Sequence, residues 1–325
     1  MSTPTTANSN CNAVVMVTDS GYLPAARFVA HQLLGQADRN FDVIILAIGC
    51  SPAQRHAVDT KLSIIDFVPH DMSGFQLSRG DRTSAAYAKI NVTPQLAERF
   101  TKVLYLDADV WIGSRSLAHL FATDLGHYPI AAVMDAGEVL RGDQTDWLDY
   151  KRQLGLSAKT PYFNSGMMLI NRRVFESERV GSRVIDYLTS GRYIGQLDDQ
   201  SALNAVLNGH WLELSPLWNW MYATRWSLTR DVDPGIIHFI GSSKPWRDVK
   251  GRHDPRYREE MAHVLKPLHY GKFVDDAFFP NRLGANAGRL AKTVLGKIWP
   301  DQREARIRKR VANFAESDFA TRSLV

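Results

Sequence analysis

The 325-residue sequence is poor in cysteine: Cys11 and Cys50 stand alone, with no CxxC and no metal-ligand spacing. A disulfide framework and a cysteine-based zinc site are therefore excluded, and two isolated thiols point to a reducing compartment. No apolar run is long enough to span a bilayer as a helix. The first ten residues are polar, without a basic and then apolar leader, so no secretory signal is expected. A glycine-rich GxGxxG after the first apolar run is also missing, which argues against a nicotinamide dehydrogenase. Internal repeats and low-complexity tracts are absent. Charge of one sign is scarce over most of the chain. Lys and Arg number 39 against 34 Asp and Glu, and between Arg282 and Arg310 nine Lys or Arg face two acids. The basicity thus belongs to the C-terminal segment and the body is close to neutral, so no nucleic-acid partner is expected.

What the chain does have is core-forming sequence. It is 45% hydrophobic and 22% charged, with a mean hydropathy of -0.24, as in a globular α/β enzyme. Ala13–Thr18, Phe41–Ile48 and Leu62–Val68 read as buried strands with a helical pattern after the first, from Ala26 to Leu34. That alternation predicts a parallel sheet covered by helices. Residues 83–99 read as a helix that Pro94 should bend or interrupt, and 172–190 and 198–208 as two more. Lys102–Leu106, Ile130–Met134 and Gly166–Asn171 read as further strands. Polar residues crowd the strand ends, namely Asp19, Asp107, Asp109 and Asp135, where open α/β sheets bind ligands. The expected organisation is a polar extension over 1–11, a catalytic domain over 12–270 and a mainly helical basic tail over 271–325.

Asp107-Ala108-Asp109 is the strongest chemical signal. Residues two apart in a strand point to one side, so both carboxylates can share a hard divalent cation. The bland alternative is a solvated acidic turn, but the pair is embedded between Leu104-Tyr105-Leu106 and Val110-Trp111-Ile112. His238 lies in an apolar run and is followed by Gly241-Ser242-Ser243-Lys244-Pro245-Trp246. A neutral imidazole on a metal, with Lys244 near phosphate oxygens, would neutralise a diphosphate leaving group. Asn164 offers donor and acceptor groups to sugar hydroxyls, and Gly166 permits close backbone approach. Taken alone, that segment also reads as a plain turn, and Leu197–Asn204 as a plain helix start. Trp218, Trp220, Tyr222 and Trp226 read equally as sugar-stacking rings or as core.

Together, Leu104–Asp109, Phe163-Asn164-Ser165-Gly166, Asp199-Gln200 with Leu203-Asn204, and His238–Trp246 resemble the family-eight glycosyltransferases. These include bacterial lipopolysaccharide galactosyl- and glucosyltransferases and glycogenin, and the resemblance covers roughly residues 12 to 270. It implies a GT-A, Rossmann-like nucleotide-sugar-binding fold, a UDP-sugar donor, retained anomeric configuration and manganese, with magnesium as the alternative. By the same resemblance Asp107, Asp109 and His238 are the metal ligands. Lys244 and Gly241 contact the diphosphate, Asp19 and Tyr22 form the uridine edge, and Lys89 faces the donor. Ala108 lines the donor site, Asp135, Asn164 and Asp199 contact the sugar, and Gln200 lies nearest its reacting face. Asp199 is the candidate nucleophile if a covalent intermediate forms. The first motif, Thr18-Asp19-Ser20-Gly21, has fewer acidic or amide groups than is usual in the family.

The implied function is transfer of a hexose to a glycan or lipid-linked glycan acceptor in surface-polysaccharide synthesis. Leu290, Val294 and Ile298 at four-residue spacing, with Arg289, Lys292, Lys297 and Trp299, predict an amphipathic basic helix at an anionic membrane surface, its positive charge extended by Arg303, Arg306, Arg308, Lys309 and Arg310; the bland alternative is a helix packed on the catalytic domain through the same stripe with its charges solvated. The place of action is then the inner face of the cytoplasmic membrane. Two other readings remain. A haloacid-dehalogenase-like phosphohydrolase fits the string Asp107-Ala108-Asp109-Val110, although three strands precede it here. A catalytically silent sugar-binding protein would have no need of the full set of Asp107, Asp109, His238 and Lys244.

Overall fold

The computed structural model describes residues 11–56, 61–68, 87–192, 197–248, 251–265, 302–314 and 321–322. Strand β1, Asn12–Asp19, is buried from Ala13 to Thr18, and its side chains divide between two cores. Val14 and Met16 join one apolar cluster, and Ala13, Val15 and Val17 the other. A strand covered on both faces needs apolar residues throughout, which is why no polar alternation shows in its sequence. Helix α1, Leu23–Leu34, starts with Pro24 in its first turn, where a missing N–H costs nothing. Strands β2, Asp42–Ile48, and β3, Leu62–Asp66, then add in parallel on one side of β1.

The chain next crosses to the other side of β1, where β4, Lys102–Leu106, also pairs in parallel. The gap between β1 and β4 is therefore a topological switch point, the usual crevice for a ligand in such sheets. A short ribbon strand, β5, Val110–Ile112, follows directly. Beyond it come β6, Ile130–Met134, helices α2, Ala136–Arg141, and α3, Thr145–Gln153, and then β7, Phe163–Asn171. Strand β7 lies antiparallel between β4 and β6. Helices α4, Arg172–Ser177, α5, Val180–Thr189, and α6, Asp198–Leu207, precede β8, Leu212–Leu214, which pairs in parallel with β6. Strand β9, Ile236–His238, pairs with β5 in a separate two-stranded ribbon. Helix α7, Gln302–Ala312, and β10, Thr321–Arg322, complete the chain, giving the eight-strand order β10-β8-β6-β7-β4-β1-β2-β3.

The parallel pairing expected from the N-terminal alternation holds for β1 to β4, and the sheet as a whole is mixed, because β7 and β10 run against their neighbours. Three expectations are corrected. Of the helix expected over 83–99, residues 83–86 lie outside the described residues, Tyr87 and Ala88 are helical, and two 3-10 turns, Lys89–Asn91 and Thr93–Gln95, take the place of the rest. Pro94 cannot donate to a helical ladder, and the tight turns leave Lys89 only 5% exposed. The helix expected over 172–190 is broken at Arg179, whose φ is 53°. The break sets Gly181 against the turn at Ile90, where an added Cβ would lie 2.9 Å from a backbone oxygen. Finally, Asp107 and Asp109 do not share the face of a strand. Strand β4 ends at Leu106, and the two acids occupy the turn into β5.

The later part of the basic segment is docked on the body. Arg306 forms a two-pronged ion pair with Asp143 at 2.8 and 2.9 Å and also donates to the Leu140 carbonyl at 3.2 Å. Arg308 reaches Asp231 at 2.6 Å, Arg310 pairs with Glu213, and Ile307 is fully buried. The apolar stripe of Leu290, Val294 and Ile298 lies outside the described residues. Among the described residues, no helix is long and apolar enough to cross a membrane.

Candidate active site

Two backbone hydrogen bonds fix the acidic turn. The Asp107 N–H donates to the Gly166 carbonyl at 2.8 Å, and the Phe239 N–H donates to the Asp109 carbonyl at 3.0 Å. His238 ends β9 opposite Val110. Its Nε2 stands 3.4 Å from Asp109 Oδ1 and 3.9 Å from Asp107 Oδ2. One ligand atom from each of Asp107, Asp109 and His238 can be chosen so that all three lie within 4.8 Å of one another. Two carboxylates and one imidazole suit Mn2+ or Mg2+ better than a thiolate-seeking ion. Gly166 leaves the space: an added Cβ would lie 2.7 Å from Asp107 Oδ2 and closer still to His238 Cε1. The residues present therefore fit a divalent cation.

Cations flank this acidic group on both sides. Lys89 Nζ bridges Asp107 Oδ1 at 3.0 Å and Asp199 Oδ2 at 3.1 Å. Burial works against its charge, but the two carboxylates outweigh burial and raise its pKa above the ordinary lysine value. Lys244 binds the Asp109 carboxylate and donates to the Phe239 carbonyl at 2.6 Å. Burial pushes the Asp109 pKa up, while Lys244 and then His238 pull it down further, leaving it well below the carboxylate range. The Tyr105 hydroxyl donates to Asp107 Oδ1 at 2.7 Å, and burial next to that carboxylate keeps the phenol protonated far above neutral pH.

The adjoining wall is built from amides. Asp135 caps α2 by accepting the Gly137 N–H at 2.7 Å. Its other oxygen accepts from Asn164 Nδ2 at 3.1 Å and Gln200 Nε2 at 3.2 Å. Gln200 Oε1 in turn accepts the Ser165 N–H at 3.1 Å. Ser165 Oγ donates to Asp199 Oδ2 at 3.0 Å. Asn204, one turn along α6, ties that helix to β7 by accepting the Phe163 N–H and donating to the Phe163 carbonyl, each at 2.9 Å. These side chains are buried polar groups that satisfy one another.

The structure thus gathers Lys89, Asp107, Asp109, Asp199, His238 and Lys244 at one end and Asp135, Asn164 and Gln200 at the other. Ala108, 7% exposed, sits inside the turn. Gly241 has a φ of +79°, a conformation that glycine adopts without strain, and opens the turn that carries Lys244. Asp19 accepts the N–H groups of Gly21 and Tyr22 at 2.9 and 3.1 Å. The Tyr22 ring meets Trp246 edge-on at 6.3 Å, so this edge joins the site through the 241–246 turn. Trp218, Trp220 and Tyr222 are buried in the core, which decides their reading, whereas the Trp226 side chain lies outside the described set. Tyr105, Ser165 and Asn219 also belong to the site and were not anticipated. The signal for Asn219 is an amide inside the run Leu217-Trp218-Asn219-Trp220, because a polar group buried among aromatics needs a partner.

Comparison with known proteins supports the resemblance. The family model for Glycosyl transferase family 8 matches residues 13–250. General stress protein A of Bacillus subtilis is 26% identical over 277 residues, 78% of this chain and 92% of that protein. Lipopolysaccharide glucosyltransferase WaaO of Escherichia coli is 28% identical over 176 residues, 51% of this chain and 50% of that protein. The chain thus spans half the length of WaaO. Two crystal structures of LgtC, an active-site mutant and a galactosyltransferase complex with donor and acceptor sugar analogs, superpose with TM-scores of 0.67 and 0.63. Their identities are 23% and 24%, over 78% of this chain and 95% of LgtC. They establish that this mixed α/β sheet has the GT-A fold.

Proposed function

The chain belongs to Glycosyl transferase family 8, and we propose that it moves a hexose from a UDP-sugar to a glycan acceptor with retained configuration and with Mn2+, or alternatively Mg2+. The observation that carries this reading is the meeting of Asp107, Asp109 and His238 at the switch point of the sheet, between Lys89 and Lys244 and beside the amide wall. A phosphohydrolase has no use for that wall, and a silent binding protein has no use for the paired cations.

In this reading Asp107, Asp109 and His238 hold the cation, which when bound neutralises charge developing on the diphosphate leaving group. Lys244 exchanges Asp109 for a phosphate oxygen, and Gly241 lets backbone approach the diphosphate. Ala108 lines the same floor, and Asp19 and Tyr22 take the uridine. Asp135, Asn164 and Asp199 orient the sugar hydroxyls, and Gln200 lies beside the anomeric carbon. A double displacement needs a carboxylate on the far face of the sugar. Gln200 is an amide, and Asp199 Oδ2 is engaged by Lys89 and Ser165. The reaction is therefore front-side. The bond from the anomeric carbon to the diphosphate breaks, the acceptor oxygen bonds on the same face, and its proton passes to the departing diphosphate.

The acceptor is a glycan, in the lipid-linked form a growing lipopolysaccharide core at the inner face of the cytoplasmic membrane. The relative WaaO is a lipopolysaccharide glucosyltransferase. Because Arg306, Arg308 and Arg310 are engaged with the body, contact with an anionic surface falls to the stretch from Arg289 to Trp299. A panel of UDP-sugars with Mn2+ and no acceptor tests the activity, and hydrolysis of one donor is expected. No turnover of any UDP-sugar, or proton NMR showing an inverted early product, overturns the reading. For the surface contact, the full chain is expected to sediment with anionic vesicles at low salt and to be released at high salt.

A further inference from the structure

Asn219 has no solvent exposure and lies between Trp218 and Trp220, both buried. The Trp220 N–H donates to the Ile236 carbonyl at 2.8 Å, and the His238 N–H donates to the Trp220 carbonyl at 2.9 Å. Those bonds lay Asn219 alongside the candidate metal-binding histidine. Its Oδ1 is 3.1 Å from His238 Nδ1, and its Nδ2 donates to Asn164 Oδ1 at 3.0 Å.

The direction of each bond can be worked out from groups whose polarity is fixed. A backbone N–H only donates, and that of Gly166 points at Asn164 Oδ1 at 3.1 Å. A carboxylate only accepts, and that of Asp135 takes Asn164 Nδ2. Both neighbours therefore give Asn164 the same orientation, oxygen towards Asn219. Asn219 must then present its NH2 to Asn164 and its carbonyl to His238. A carbonyl accepts, so His238 carries its proton on Nδ1. The lone pair of Nε2 is left facing Asp107 and Asp109. Without Asn219 the ring could place that proton on Nε2, between the two carboxylates, and close the position a cation needs.

We propose that Asn219 is a positioning residue for the metal centre: it holds His238 in the Nδ1–H tautomer, with Nε2 free to bind a cation between Asp107 and Asp109. The inference rests on the metal reading above. Through Asn164, the same hydrogen-bond chain joins the metal end of the site to Asp135 at the sugar end.

The test is Mn2+ binding to the full-length protein in saturating UDP, followed by the EPR signal of free Mn2+. Loss of a ring-orienting partner typically weakens metal binding about 10- to 100-fold. Asn219→Leu is expected to show that loss with unchanged circular dichroism. Asn219→Asp, whose carboxylate still accepts the Nδ1 proton although it loses the bond to Asn164 Oδ1, is expected to bind Mn2+ more tightly than Asn219→Leu does. A merely structural role would weaken both variants alike. A second measurement does not depend on either variant folding. In 15N-histidine-labelled wild type with Mg2+ and UDP, the His238 signal, assigned by its loss in His238→Gln, should show a protonated Nδ1. Failure of the wild type to bind Mn2+ sinks the metal reading and this inference with it. Wild-type binding together with an unaffected Asn219→Leu, or a protonated Nε2, overturns the inference alone.

Discussion

Asp109 and Asp135 are carboxylates in one site, yet they are held by different kinds of partner. Asp109 faces Lys244 and His238, one a cation on a long stem and the other an imidazole. Among the described residues, Asp135 accepts from neutral donors, namely two side-chain amides and a backbone N–H. Charge at the first end is balanced by a group that can leave when another cation arrives. Geometry at the second end is over-determined and has no reason to change. In the proposed reading, the end that would take the metal is thus arranged for exchange, and the end that would take the sugar for preorganisation.

The sharpest way to break the contrast is Asp109→Ala. Losing a metal ligand should lower turnover by about 10³-fold or more, since metal stabilisation of the transition state is worth several kcal/mol. The circular dichroism should not change, because the acid lies in a turn. A fully active variant would show that Asp109 is not a ligand. Lys244→Ala should cost about 10²–10³-fold in kcat, as for other preorganised groups aimed at a leaving group. Retained kcat would make Lys244 a purely structural partner of Asp109.

At the sugar end the expected effect is on stability. Asn204→Ala strands the Phe163 N–H and carbonyl in the interior. A loss of about 2 kcal/mol in urea denaturation is expected, with Mn2+ affinity unchanged. A loss of metal binding equal to that of Asp109→Ala would erase the distinction between the ends.

The smallest effect is a dependence on acid. The Asp109 carboxyl titrates below its ordinary value of 3.8, because Lys244 and His238 outweigh burial. A depressed carboxylate contributes stability that is complete above its unfolded pKa and is lost as pH falls through the folded one. The metal-free wild type should therefore lose its stability advantage over Asp109→Asn on acidification below about pH 4. Denaturation curves for the pair at pH 5 and pH 3 would measure this, and a constant difference would contradict it.

Much of this architecture is visible in apolar runs. The strands at 12–19, 42–48, 102–106 and 130–134 follow the hydrophobic segments closely. The site residues were legible because acids and a histidine interrupt those runs. What escaped depends on tertiary placement. The antiparallel course of β7 has no local sign, since a strand buried on both faces reads the same in either direction. The Asp107–Asp109 turn escaped because β4 stops one residue short of the first acid. Asn219 escaped because a lone amide carries no spacing to match. The docking of α7 depends on Asp143, Asp231 and Glu213, which are distant in sequence from the arginines they meet.

The two acids of the turn are anchored to different sheets. Through its N–H, Asp107 belongs to the eight-stranded sheet at Gly166, while Asp109 is bonded through its carbonyl to the ribbon at Phe239. An ion shared by both carboxylates and His238 would rivet ribbon to sheet. Ion binding and ribbon detachment then become linked by mass action. Every tenfold rise in free ion above its dissociation constant makes opening of Val110–Ile112 about 1.4 kcal/mol harder. Amide exchange along that short strand would report the metal supply before any sugar is moved.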